Sequence, residues 1–197
     1  MENPNLFFST PVWASKIEDY QSTNEKIYDY IQKLQKADTE GVIKSNIKGW
    51  HSKDFNLKDV DVISFINLIS PNINKVLSDM NWDLEKQTIK ITNMWAIINT
   101  GGASNARHHH GNSDISAAYY VRAPKNCGEI VFYDPRPAPV FSHPKSKKIN
   151  HLNAMVNSIS PVEGGLVLFP SYLDHSVNPN SSNNERIVIS FNIKLVG

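Results

Sequence analysis

Cysteine is almost absent from this chain: Cys127 is the only one among 197 residues. A lone thiol cannot close an internal disulfide, which excludes a cystine-stapled secreted scaffold and leads us to expect a reducing, cytoplasmic setting. Cys127 stands beside Gly128 at the start of an apolar run and reads as packing rather than as a nucleophile. Long apolar runs are missing too. None reaches transmembrane length, and Met1-Glu2-Asn3-Pro4 does not open a signal peptide, so no membrane role is expected. Nor is there an excess of either charge: 20 Lys+Arg face 19 Asp+Glu, a net charge of +1. A dedicated polyanion binder needs a basic field to displace counterions, so nucleic acid is not an expected partner.

With no repeat and no linker-like stretch, residues 1–197 read as a single domain with enough chain for a sizeable core. Its first part, to about residue 85, is a helical preface. Leu6 to Trp13 reads as a short entry strand interrupted at Pro11. Ser22 or Thr23 is placed to cap a helix reaching Ala37, with Ile27, Tyr28, Ile31 and Leu34 on one face. A loop around Ser45–Ser52 follows. A second helix is expected over Asp59–Met80, broken or kinked by Pro71 after Ser70. From about residue 86 the pattern changes to strands: Ile89–Asn99, Ser116–Val121, Gly128–Tyr133, Asn153–Ile159, Gly165–Phe169 and Arg186–Leu195. The expected fold is mainly β with flanking helices, a jelly roll or related sandwich. Pro135–Pro139 and the Lys145–Lys148 run read as an exposed loop.

The residues that carry chemistry are histidines. His108 and His110 are separated by one residue, so on an extended strand both imidazoles point to the same side. His175 lies where a hydrophobic strand gives way to a turn. Three such ligands close one face of a metal and leave the other open, an arrangement suited to non-haem iron; zinc also accepts three histidines with an open position. Taken alone, a three-histidine run is also what a polar surface loop carries. Strand alternation turns His109 the other way, and Asp174 should likewise face away from His175. Asp114 is the alternative carboxylate ligand. Arg186 follows His175 by eleven residues, on the next predicted strand. That strand alternates strictly, with Ile187, Ile189, Phe191, Ile193 and Leu195 on one face and Arg186, Val188, Ser190 and Asn192 on the other. An arginine facing a barrel interior requires an anionic partner, and its planar fork suits a carboxylate. The competing assignment is a surface arginine paired with Glu185. Trp50 and Trp95 read as core. Asn99, Asn105 and Ser116 fit capping and turn roles as well as they fit a pocket, and Asp134-Pro135-Arg136 reads as a turn with an exposed arginine.

The ordered set of segments resembles the 2-oxoglutarate- and Fe(II)-dependent oxygenases, and within them a group of small bacterial and phage oxygenases related to prolyl hydroxylases. The resemblance is carried by Ser45-Asn46 with Gly49-Trp50-His51-Ser52, His108-His109-His110, Ser116-Ala117-Ala118-Tyr119-Tyr120 and Gly128 through Asp134-Pro135-Arg136. It continues through Gly165 to Phe169-Pro170-Ser171, His175, Arg186 and Ser190-Phe191-Asn192. It implies a double-stranded β-helix (cupin-like jelly roll) with iron in its mouth. Fe(II) would rest on His108, His110 and His175, with His110 where the wider superfamily places a carboxylate. Three neutral imidazoles leave the iron at two positive charges, which dianionic 2-oxoglutarate would balance. Arg186 would pair the distal carboxylate of 2-oxoglutarate, with Ser190 and Asn192 on the same face. Val188 stands where relatives often carry Ser or Thr, so a tyrosine hydroxyl would have to assist: Tyr120, with Tyr119 as the alternative.

The expected activity is that of an oxidoreductase. As a dioxygenase it would hydroxylate a small molecule or peptide with O2, releasing succinate and CO2, and a prolyl-hydroxylase-like specificity is one form of it. One rival is a three-histidine iron dioxygenase that does not use 2-oxoglutarate. Another is a non-catalytic metal-binding jelly-roll module. Exposed sheet edges make a homodimer one expected arrangement.

Overall fold

The computed structural model describes residues 4–137 and 144–197. Met1–Asn3, and the part of the Pro135–Pro139 loop beyond Pro137, lie outside the described residues. The order of elements is β1 (Trp13–Lys16), α1 (Tyr20–Ala37), β2 (Asn46–Ile47), β3 (Trp50–His51), α2 (Val60–Met80), β4 (Thr88–Asn99), β5 (Ser104–His108), β6 (Ile115–Arg122), β7 (Ile130–Tyr133), β8 (Val156–Ile159), β9 (Gly165–Pro170), β10 (His175–Val177) and β11 (Arg186–Val196). The strands form two antiparallel sheets, ordered β1-β9-β6-β11-β4-β3 and β2-β5-β10-β7-β8. This is the double-stranded β-helix expected, with helices flanking the larger sheet.

Alternation along β6 and β11 divides the core in two. Tyr119, Ile187, Ile189, Phe191 and Ile193 join Ile27, Ile31, Phe65 and Ile69 of the helices in one apolar cluster. Ala118, Tyr120 and Val188, one residue out of phase, join Ile130, Phe132 and Phe169 in a second cluster between the sheets. Asn24 pins α1 to β6. Its amide nitrogen donates to the Val121 carbonyl (2.8 Å) and its oxygen accepts from the Tyr119 hydroxyl (3.1 Å).

Several local expectations are corrected. α1 begins at Tyr20 after Asp19 in a left-handed conformation, so Ser22 and Thr23 lie inside the helix and cap nothing. Pro71 does not break α2, which runs through it. Asn67 and Pro71 are both exposed, so water can serve the Asn67 carbonyl that loses its intrahelical donor. The N-terminal strand forms only at Trp13–Lys16, past Pro11, while Leu6, Phe7 and Phe8 are exposed and Phe8 has a φ of 59°. β8 starts at Val156 because Asn150 and Asn153 first close a side-chain-bonded turn. The loop read over Ser45–Ser52 contains two short strands, β2 and β3. β5 supplies the extended segment expected for His108 but ends there, short of His110, and β10 is a strand that the sequence pattern does not predict.

Candidate active site

Strand register builds the histidine cluster. β10 pairs with β5 so that His175 stands opposite His108. β5 ends at His108, and His110 is held just beyond it by its backbone N–H donating to the Ser171 carbonyl at 2.9 Å. One ring nitrogen from each of the three histidines lies within 4.8 Å of the other two. Ring centroids are 4.3 Å apart for His108 and His175, and 5.1 Å for His108 and His110.

Two of the rings have their tautomer set by backbone. His108 Nδ1 donates to the Ala106 carbonyl at 2.8 Å and His175 Nδ1 donates to the Leu173 carbonyl at 3.0 Å. Each contact keeps the proton on Nδ1 and leaves Nε2 unprotonated; at His108 that nitrogen accepts from Ser45 Oγ at 3.4 Å, a long contact that a metal would displace. Burial, with the neighbouring histidines adding to it, lowers His110 to about 4 and His175 to about 3. Burial also lowers His108. The cluster is therefore neutral at pH 7, the state that metal ligation needs.

These shifts predict a pH dependence. An unfolded histidine takes up a proton near pH 6.5, whereas His110 and His175 in the folded chain resist doing so down to about pH 4 and 3. Their contribution is thus complete above pH 6.5 and is lost as the pH falls, at up to about 1.4 kcal/mol per pH unit for each ring. Calorimetry of chelator-treated protein should show the melting temperature dropping by several degrees between pH 7 and pH 5. An unchanged melting temperature would contradict this.

His109 and Asp174 point away from the cluster. Asp174 accepts from His109 Nδ1 at 2.9 Å and from Arg107 Nε and Nη2 at 2.9 and 2.7 Å. Asp114 is also apart. Its side chain accepts from the Leu195 N–H at 2.7 Å, and its backbone bonds Ile193 and Ser171, so it ties the ends of β6, β9 and β11 together.

A cavity of about 640 Å³ opens beside the imidazoles and reaches Arg186. Arg186 is only 1% exposed. Nη1 donates to the carbonyls of Cys127 (2.6 Å) and Gly128 (2.9 Å), with Asn178 O at 3.4 Å. Nη2 is buried and, among the described residues, has no hydrogen-bond partner. Burial lowers the guanidinium's pKa, partly offset by Tyr120 and Cys127. A surface pair with Glu185 is therefore not what this residue makes. Tyr120, Val188 and Ser190 line the same cavity. Tyr119 does not; it lies in the helix-side core and bonds Asn24. Asn192 is not in the cavity wall either, because its amide bonds His110, Asn93 and Ser116. Burial raises the Cys127 thiol, in keeping with a packing role.

Gly128 makes this seat possible. Its φ is 91°, and a Cβ there would overlap the Asn178 carbonyl oxygen and stand 2.8 Å from Arg186 Nη1. Gly128→Ala is expected to destabilise the fold by about 1–3 kcal/mol through backbone strain and to displace the guanidinium. Urea unfolding and 2-oxoglutarate titration read the two effects. A variant with unaltered stability would contradict the close approach.

Residues that sequence reasoning passed over complete the cavity. Trp95, read as core, lines it, stacked between His51 (5.5 Å, 9°) and His110 (5.8 Å, 23°). His51 is buried and its Nδ1 donates to the Ser52 carbonyl at 2.6 Å, so Nε2 is left as an acceptor in the cavity wall. Lys44, Ser45, Asp54 and Arg107 also line it. The signal that would have found His51 was the short Gly49-Trp50-His51-Ser52 segment, whose two-residue strand is too brief for periodicity to detect.

Among curated proteins none matches the chain in sequence. Solved structures do match in fold. A prolyl-4-hydroxylase from Pseudomonas putida is 10% identical, with a TM-score of 0.66 over 96% of this chain and 95% of that one. A prolyl hydroxylase from Trichoplax adhaerens, in complex with a hypoxia-inducible-factor oxygen-degradation-domain peptide fragment, is 16% identical, with a TM-score of 0.63 over 93% and 83%. HygX from Streptomyces hygroscopicus, with nickel, 2-oxoglutarate and hygromycin B bound, is 10% identical, with a TM-score of 0.62 over 94% and 83%. Residues 93–192, half of the chain and the part that contains the three clustered histidines and Arg186, match the family described as "Putative 2OG-Fe(II) oxygenase". The chain belongs to the 2-oxoglutarate- and Fe(II)-dependent oxygenases.

Proposed function

We propose that His108, His110 and His175 hold Fe(II), and that Arg186, with Tyr120 and Ser190 beside it, receives the distal carboxylate of 2-oxoglutarate. The observation that carries this reading is the buried Arg186 Nη2, which has no partner among the described residues and belongs to the same cavity as three converging imidazoles. A buried guanidinium with an unspent donor calls for an anion. The residues also fit in charge, since three neutral imidazoles leave the metal's two positive charges for a dianion to balance.

Each residue has a definite task. The carbonyls of Ala106 and Leu173 orient His108 and His175 for ligation through Nε2. The carbonyls of Cys127 and Gly128 hold one arm of Arg186 and aim the other. Val188, Ala118 and Phe169 keep that end of the cavity apolar, which strengthens a charge pair formed there. Bound Fe(II) and 2-oxoglutarate supply, with O2, oxidative decarboxylation to succinate and CO2 coupled to hydroxylation of a C–H bond.

The substrate in this reading is a small molecule or peptide approaching past Lys44, Asp54 and His51, and the fold likeness to prolyl hydroxylases favours a peptide side chain. The near-neutral net charge of +1 gives nucleic acid no electrostatic advantage. The proposal includes a cytoplasmic protein acting as one domain, with a homodimer as an arrangement to test by light scattering. The enzymatic test is succinate release from 2-oxoglutarate with Fe(II) and O2. Succinate formed at the rate of oxygen uptake supports the reading. Oxygen uptake without succinate would favour the three-histidine dioxygenase instead, and neither would favour a binding module.

A further inference from the structure

We infer that Asn192 sets the tautomer of His110 and thereby decides whether that imidazole can ligate the metal. The inference rests on the reading of the three histidines as a metal site. His108 and His175 each donate Nδ1–H to a backbone carbonyl. Among the described residues no carbonyl accepts from the His110 ring. Its Nδ1 lies 3.1 Å from the Asn192 side-chain amide nitrogen, so Nε2 is the only ring nitrogen through which it could ligate.

The rest of the amide is held by buried polar groups. Asn192 Oδ1 accepts from Ser116 Oγ at 2.7 Å, and Ser116 Oγ is 2.8 Å from Ser171 Oγ. Asn192 Nδ2 also donates to Asn93 Oδ1 at 3.0 Å. With Nδ2 facing His110, Nδ1 must accept, so the ring's proton sits on Nε2 and blocks the ligating lone pair. Turning the amide over puts Oδ1 on Nδ1–H and frees Nε2. Ser116 can follow by accepting from Nδ2 and giving its own proton to Ser171. Asn93, partly exposed, can turn its amide as well. Each contact can therefore reverse its direction without being lost. A carboxylate ligand has no tautomer to set, so the need for Asn192 arises from having an imidazole at position 110.

The test is anaerobic binding of Co(II) to the whole protein, followed by its visible d–d absorption. Asn192→Leu removes the acceptor and should weaken binding about 10- to 100-fold, the usual cost of losing an outer partner of a metal-ligating histidine. Asn192→Asp keeps an acceptor for Nδ1–H and should restore binding close to the wild-type level. His110→Asp removes the imidazole, and in that background Asn192→Leu should have no further effect. Nitrogen-15 NMR of wild-type His110 should show the proton on Nδ1 once a diamagnetic metal such as Zn(II) is bound. Wild-type affinity in Asn192→Leu, or an equal loss in both the native and His110→Asp backgrounds, would overturn the inference. Absence of Co(II) binding in the wild type would instead overturn the metal-site reading on which it rests.

Discussion

Arg186→Ala should still bind iron but lose 2-oxoglutarate. Among the described residues the guanidinium's hydrogen bonds go to the carbonyls of Cys127, Gly128 and Asn178, and none goes to an imidazole. Its removal therefore leaves the histidines in place while taking away the buried positive charge of the cavity. Truncating one partner of a buried, hydrogen-bonded charge pair costs about 2–5 kcal/mol, or roughly 30-fold to several thousand-fold in affinity. Arg186→Lys should recover little. A lysine keeps the charge but lacks the planar fork that lets one arm hold two carbonyls while the other meets a carboxylate. Calorimetric titration of 2-oxoglutarate into the iron-loaded variants measures this, and wild-type affinity in Arg186→Ala would place the carboxylate elsewhere.

His175→Ala should abolish both stable metal binding and turnover. His175 is 5% exposed, and its ring packs on Phe169 with centroids 4.7 Å apart. Its loss removes one of three ligands and also opens a void beside Phe169. Metal affinity should fall by more than the roughly 10- to 100-fold typical of outer partners. His109→Ala is the internal control. It belongs to the same histidine run, yet it faces Asp174 on the outside, so iron affinity should stay within about threefold of wild type. Equal losses in the two variants would mean that the run acts through something other than the cluster seen here.

The site was readable where period and spacing act over a long strand. β11 extends over eleven residues, and its alternation sends Arg186, Val188 and Ser190 to the cavity and Ile187, Ile189 and Phe191 to the helices. Asn192 shares the expected face, but it lies at the bulge between Asn192 and Ile193 in the pairing with β4. There its amide meets His110 instead of lining the cavity, and no one-dimensional pattern foretells that. β10 is only three residues long and exists because β5 and β7 pair with it on both sides, so local propensity gave no sign of it. The same holds for β2 and β3, which bring Ser45 and His51 close to the site through pairings distant in sequence. Tyr119 and Tyr120 differ by one step of the pleat, and only the packing of α1 and α2 on one face of β6 distinguishes them. Pro71 does not end α2 because proline's cost depends on which face it occupies, and here that face is toward water.

The most direct test of the central claim is anaerobic titration of the wild-type protein with Fe(II), with and without 2-oxoglutarate, followed in the visible for the metal-to-ligand charge-transfer band. If the three histidines and Arg186 form one site, the band appears only when both components are present and saturates at one of each per chain. Iron that binds without ever producing the band, or no iron binding at all, would contradict the account.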